Sequence, residues 1–270
     1  MIDVNKLDFV IFPGGELHIL DNWIKNGTIL QDNSVLCRIQ NSNDLMKLCL
    51  FTNAFKNFVG RMPHRLVLPY IPYARQDRIS NPGEALSIKV FGNILNTLNY
   101  RQVYVLDPHS DVCTALIENV RVLPQWEIFA DSIPQNVDLI APDAGALKKV
   151  YKLQEAVRTL GNDVSVRIAN KHRDTHTSKI SHTTIEGQAT NKTCVVIDDI
   201  CDTGHTLLEL SKVIKTQYDK CILMVTHGIF SDGIEALSEV YDRILATNSF
   251  NGNLKAEGKL RVISVEKLLK

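Results

Sequence analysis

The chain has 270 residues with 30 basic and 30 acidic side chains, so a formal net charge of zero leaves no basic field for a nucleic acid and no polybasic membrane anchor. The length suits two moderate cores better than one large one. No apolar run approaches the roughly 18–20 residues of a membrane span, Met1-Ile2-Asp3-Val4 lacks the charged and apolar regions of a signal peptide, and the six cysteines form no Cys-x-x-Cys pair, so a cytosolic protein with buried, reduced thiols is expected.

In chain order, residues 7–12 are expected as a strand that ends at the turn Pro13-Gly14-Gly15-Glu16, with a second short strand over 17–20. A strand over 35–39 precedes a helix capped by Asn43 or Asp44 and running to about Val59. The strand over 65–70 meets a proline. The loop after it, Pro72-Tyr73-Ala74-Arg75-Gln76-Asp77-Arg78, places two guanidiniums and an amide at a strand end, a donor-rich edge suited to polyphosphate; a solvated surface turn is the plainer alternative. Helix over 85–98, strand over 102–106, strand over 137–141, helix over 145–160 and strand over 164–169 follow, with a linker expected between Trp126 and Gln135. Then come a strand over 193–197, a helix over 206–217, a strand over 220–226, a helix over 233–239 and strands over 243–247 and 260–264. Repeated strand-helix units predict an α/β protein with parallel sheets flanked by helices, and ligand loops at the carboxyl ends of strands.

The most informative stretch is Val195-Val196-Ile197-Asp198-Asp199-Ile200-Cys201-Asp202-Thr203-Gly204-His205-Thr206. An apolar strand passes into a polar turn and then a helix, so free N–H groups at the helix start, the hydroxyls of Thr203 and Thr206 and a flexible Gly204 can cradle a phosphate. Asp198 and Asp199 would face what the phosphate is attached to, and two carboxylates suit a sugar with two hydroxyls. An ordinary loop in which Asp and Thr merely cap a helix is the alternative. Cys201 reads as a filler, not a nucleophile.

This stretch resembles the ribose 5-phosphate loop of type I phosphoribosyltransferases and of ribose-phosphate diphosphokinases. Tyr73-Ala74-Arg75-Gln76-Asp77-Arg78 resembles the ATP-binding loop of the diphosphokinases, which phosphoribosyltransferases proper do not carry. Phe12-Pro13-Gly14-Gly15-Glu16, Asn43-Asp44-Leu45-Met46, Asp107-Pro108-His109, Pro142-Asp143-Ala144-Gly145, Lys171-His172-Arg173 and Thr226-His227-Gly228 fall into the same family's order, from about residue 9 to residue 265.

The resemblance implies two similar phosphoribosyltransferase-like lobes, each a mostly parallel sheet flanked by helices: an ATP-binding lobe over 1–130, to which 260–270 return, and a ribose-phosphate-binding lobe over 131–259. It implies Lys171 and Arg173 as catalytic cations on a mobile loop over 170–181, and Phe12, Glu16, Arg75, Gln76 and Arg78 as ATP contacts. It further implies Asp198, Asp199, Asp202, Thr203, Gly204, His205 and Thr206 as the ribose-phosphate site, with His109 and Asp143 holding Mg²⁺. A nucleotide site shared between subunits implies a homo-oligomer, a dimer or a hexamer. With both substrates bound, the reaction such a pair of sites can run is attack of the sugar's anomeric hydroxyl on the β-phosphorus of ATP, releasing AMP. Two positions depart from the pattern. Gly14 stands where the family has Asp, and His205 where the diphosphokinases have Gly, which leaves a 5-phosphate-substituted ribose such as ADP-ribose as an alternative acceptor. The remaining histidines read as surface or packing residues.

Overall fold

The computed structural model describes residues 1–24, 34–173 and 180–269, the side chains of 171–173 and 180–182 excepted. The chain divides into two units, Met1–Leu123 and Pro124–Lys270, each with its own core.

The first unit is built on a sheet of five parallel strands in the order β1-β4-β5-β6-β7, where β1 is Ile2–Asp3, β4 Ser34–Leu36, β5 Arg65–Val67, β6 Gln102–Leu106 and β7 Val120–Leu123. A separate antiparallel hairpin joins β2 (Phe9–Ile11) to β3 (Leu17–Ile19) through the turn at Gly14 and Gly15. Helix α1 (Ser42–Val59) is capped by Asn41 and not by Asn43 or Asp44. Asn41 Oδ1 accepts the N–H of Asp44, and Asp44 Oδ2 reaches back to the N–H of Gln40, so the carboxylate three residues into the helix closes a reciprocal cap. Leu48, Phe51 and Phe55 on its inner face pack with Trp23, and Gly60, at φ 78°, ends it in the left-handed conformation that a Cβ disfavours. Helices α2 (Ser87–Asn96) and α3 (Asp111–Leu116) complete the unit, and Gly92 of α2 lies so near the Leu116 carbonyl that a Cβ would sit 2.8 Å from its oxygen.

The second unit carries seven strands in the order β10-β9-β8-β11-β12-β13-β14: β8 Val137–Ala141, β9 Ser165–Arg173, β10 Ile180–Ile185, β11 Thr193–Cys201, β12 Lys220–Gly228, β13 Arg243–Thr247 and β14 Leu260–Ile263. All neighbours are parallel except β9 and β10, which form an antiparallel hairpin at the edge. Both buried faces of β8, β11 and β12 read as near-continuous apolar runs, as expected of central parallel strands. Helices α5 (Ala144–Thr159), α6 (His205–Ile214) and α7 (Glu235–Val240) connect them.

Three further expectations change here. The presumed linker from Trp126 to Gln135 is largely structured: α4 (Gln125–Phe129) buries Ile128 and Phe129, and a 3₁₀ turn follows over Ala130–Ser132. Short length hid its period. The unit boundary lies at Leu123/Pro124 instead of 130/131. The segment 260–270 does not return to the first sheet; Leu260–Ile263 pairs with β13 at the edge of the second, and α8 (Val265–Leu268) is tied there by the Val265 N–H to Asn248 Oδ1 bond. Among the described residues no helix is long and apolar enough to cross a membrane.

Candidate active site

In the second unit the strand β11 runs four residues further than its apolar run, so Asp198 and Asp199 belong to the strand's carboxyl end and the loop proper starts at Asp202. Gly204 takes φ 80° and immediately precedes α6, a conformation that leaves the first N–H groups of a ten-residue helix open to an anion. A Cβ there would lie 3.2 Å from Leu237 Cδ1, so both backbone and space call for glycine. Thr203 and His205 are exposed, Asp202 and Thr206 half-buried. His205 Nε2 lies 3.7 Å from Asp232 Oδ2.

The loop is held from behind by the turn after β12. Ile229 and Phe230 both donate their N–H groups to the Cys201 carbonyl, and Ser231 donates its N–H to the Asp202 carbonyl and its hydroxyl to Asp202 Oδ1 at 2.7 Å. Asp202 therefore braces the loop. Phe230 sits at φ 51°, and a Cβ on Gly228 would overlap its ring at 2.2 Å. Cys201 is buried and its thiol is pushed up to about 12 by burial and by the charges of Asp198 and Asp202, which fits a filler and not a nucleophile.

The two strand-end carboxylates differ. Asp198 is pushed well above the usual carboxylate range by burial and by the charges of Asp199 and Asp143, while its Oδ1 accepts the Asp199 N–H at 2.9 Å. Asp199 is buried and pairs through Oδ2 with Lys149 Nζ on α5 at 3.0 Å. Lys149 escaped the sequence reading. Its one signal was position: six residues after Asp143 on a helix that starts at the end of the neighbouring strand β8. Asp143 itself is exposed and caps α5, accepting the Ala146 N–H at 3.1 Å.

Lys171 and Arg173 lie on the last residues of β9, where Lys171 pairs with Thr183 and Arg173 with Ile180; their side chains, and loop residues 174–179, lie outside the described residues.

In the first unit, the loop after β5 and the loop after β6 meet at Asp77. Burial works to raise its carboxyl, but hydrogen bonds from Ser110 and Arg78, the charge of Arg78 and that of His109 outweigh it and hold the group below the usual range. Arg78 Nε donates to Asp77 Oδ1 at 3.0 Å, and Arg75, Gln76 and Arg78 all face solvent. His109 is half-buried. Tyr73 (φ 62°) and Asp107 (φ 35°) are non-glycine residues held at positive φ at these strand ends, a strain that tends to collect at ligand loops. Phe12 and Glu16 lie elsewhere in the unit, exposed at the tip of the β2–β3 hairpin.

Two family models match the chain: the N-terminal domain of ribose phosphate pyrophosphokinase over residues 25–98 and the phosphoribosyl transferase domain over residues 116–241. A ribose-phosphate pyrophosphokinase from Pyrococcus furiosus is 32% identical over 194 residues, covering 68% of this chain and 66% of that one. The chain belongs to the ribose-phosphate pyrophosphokinase family. A member from Mycoplasmopsis pulmonis is 27% identical over 98% of this chain and 92% of its own length, and one from Haemophilus influenzae is 27% identical over 96% and 84%. Among solved structures, the phosphoribosylpyrophosphate synthetase of Mycobacterium smegmatis superposes with a TM-score of 0.81 at 22% identity, covering 97% of this chain and 87% of that one, which shows the same fold. The ribose-phosphate pyrophosphokinases are enzymes, and this chain is one of the family's enzymes, built from two phosphoribosyltransferase-like units.

Proposed function

We propose that the protein transfers the β,γ-diphosphate of Mg-bound ATP to the anomeric hydroxyl of ribose 5-phosphate, giving phosphoribosyl pyrophosphate and AMP. The observation that carries this reading is the cradle after β11: Gly204 at φ 80°, a helix start behind it and two carboxylates at the strand end before it. N–H groups of residues 204–206 and the hydroxyls of Thr203 and Thr206 bind the 5-phosphate. Asp198 and Asp199 take the sugar hydroxyls. A carboxyl pushed upward, as at Asp198, can donate as well as accept, and the Lys149-paired Asp199 accepts.

On the nucleotide side, Arg75, Gln76 and Arg78 meet the triphosphate with fork-shaped donors, with Asp77 tying their loop to the loop that bears His109. Lys171 and Arg173 supply positive charge where the transferred diphosphate accumulates negative charge, the main contribution a protein makes to phosphoryl transfer. Among the described residues no three His, Cys, Asp or Glu side chains gather as a metal cage, but Asp143 offers an exposed carboxylate, which suits Mg²⁺, a hard cation that uses one or two carboxylates plus substrate phosphates. Asp143 would hold it in the second unit, and when bound it would supply charge neutralisation on the non-bridging oxygens. The exposure of Ile11 and Phe12 at the hairpin tip, 60% and 47%, supports a homo-oligomer in which this turn reaches the nucleotide of a neighbouring subunit.

A second acceptor is favoured by one observation: His205, a bulky donor at the mouth of the cradle, is exposed and faces Asp232. It suits a 5-phosphate that carries a further substituent, as in ADP-ribose. AMP release from Mg-ATP, measured in parallel with ribose 5-phosphate and ADP-ribose, tests both readings. The expected result is AMP with ribose 5-phosphate and a loss of about three orders of magnitude or more in Lys171→Ala. AMP with ADP-ribose alone selects the second acceptor, and none with either overturns the proposal.

A further inference from the structure

We propose that Lys149 is a positioning residue of the acceptor site, acting through Asp199 and not by contact with the acceptor. The inference deepens the proposed function, because it rests on the assignment of Asp198 and Asp199 to the sugar hydroxyls.

Asp143 at the end of β8, and Asp198 and Asp199 at the end of β11, bring three carboxyl groups into one neighbourhood. A carboxylate that must accept hydrogen bonds from a sugar works against burial and against its like-charged neighbours, both of which favour the neutral form. Asp198 shows the outcome where these influences dominate. Asp199 is the more buried of the two by exposure, yet its Oδ2 has the Lys149 ammonium at 3.0 Å. The pair is largely shielded, with side-chain exposures of 25% and 11%, so its attraction is screened far less than that of a surface pair.

The geometry has a source in the chain. Asp143 caps the first turn of α5 and so fixes the helix start against the end of β8. Lys149 follows about one and two-thirds turns later, which lays its long side chain back toward the neighbouring strand β11; β8 and β11 are paired over Val137–Ile140. Lys148, with the same charge one residue earlier, is exposed. A bond to one carboxylate oxygen fixes the plane of the group, so Asp199 meets an incoming hydroxyl already oriented and does not have to be ordered by it. Removal of the ammonium leaves a buried carboxylate beside Asp198, to be protonated or to turn away; either change weakens acceptor binding before it changes the transfer step.

Steady-state AMP formation tests this with Lys149→Met, Lys149→Arg, Lys148→Met, Asp199→Asn and the Lys149→Met/Asp199→Asn double variant. Lys149→Met is expected to raise KM for ribose 5-phosphate about tenfold, the scale of one charged hydrogen bond, with kcat and KM for ATP within about threefold of wild type. Lys149→Arg recovers most of the loss, and Lys148→Met behaves as wild type. In the Asp199→Asn background, Lys149→Met adds less than about twofold, because its partner is already changed. A strut that only holds α5 to the sheet would lower thermal stability and kcat with KM unmoved, or add its full effect in the Asp199→Asn background; either result overturns the proposal. An active wild type with unchanged KM in Lys149→Met overturns the positioning role alone. A wild type that forms no AMP with ribose 5-phosphate overturns the acceptor assignment, and the positioning role with it.

Discussion

Asp138 is the second residue of β8, a strand with all five residues buried, and it is the one carboxylate there. It accepts hydrogen bonds from Ser165 Oγ, the N–H and hydroxyl of Thr190, Asn191 Nδ2 and Tyr218 Oη. Burial would raise its carboxyl, but the bonds from Ser165, Thr190 and Asn191 outweigh it and bring the group down to about 2. A depressed carboxyl contributes stability above its unfolded value, near 4, and loses it as pH falls toward the folded value. Asp138→Asn is therefore expected to cost about 2–4 kcal/mol at pH 7, with the gap to wild type closing between about pH 4 and pH 2. Urea unfolding at several pH values checks this; a gap independent of pH would contradict it. Gly204→Ala forces a Cβ into left-handed backbone beside Leu237, at a cost of about 1–2 kcal/mol, and it moves the first N–H groups of α6. KM for ribose 5-phosphate should rise several-fold in the soluble variant; an unchanged KM would remove Gly204 from the cradle. The cradle was legible because it is contiguous: strand, acids, glycine and helix follow one another. Lys149, Asp77 and Asp138 were not, since each acquires its role mainly from residues distant in the chain: Asp199 for Lys149, Ser110 and His109 for Asp77, and Ser165, Thr190 and Tyr218 for Asp138.

At the level of elements, the hairpin of β9 and β10 owes its seat to Arg167. This buried guanidinium donates to the carbonyls of Glu186 and Gly187, to Gln217 Oε1 and to Tyr218 Oη, and Tyr218 in turn donates to Asp138. The clamp joins the chain that leaves β10 to β9 and to the turn after α6. Lys171 and Arg173 stand on the far end of the same strand β9. Arg167→Met is expected to destabilise the protein by about 3–5 kcal/mol, since it breaks a buried charged network whose other members stay behind. It should also speed hydrogen exchange selectively in residues 165–170 and 183–187; uniform exchange across the second unit would show that the clamp is not local. The sequence had placed strands over 137–141, 193–197 and 220–226 with good accuracy, because fully buried parallel strands read as apolar runs. It missed β10, α4 and α8, whose length or polarity gives no period to count, and it sent the last strand to the wrong sheet. Nothing in Leu260–Ile263 states which edge it will join; that is decided by the partner β13.

On the scale of the molecule, each of the two units has one tryptophan, Trp23 buried in the first and Trp126 on α4 of the second. The acceptor cradle lies wholly in the second. In a Trp23→Phe variant, thermal unfolding followed by Trp126 fluorescence should move upward with ribose 5-phosphate by the linkage relation, about 2.7 kcal/mol at a hundredfold excess over Kd. No shift at saturating ligand would contradict the cradle.

Transfer of a diphosphate from the β-phosphorus of ATP to the anomeric oxygen is read directly by ³¹P NMR of the reaction with Mg-ATP and ribose 5-phosphate. The expected result is AMP and a sugar diphosphate appearing in equal amounts, with two coupled phosphorus resonances on the sugar and none of its own 5-phosphate lost. ADP with a singly phosphorylated anomeric position would mean attack at the γ-phosphorus, and would contradict the account.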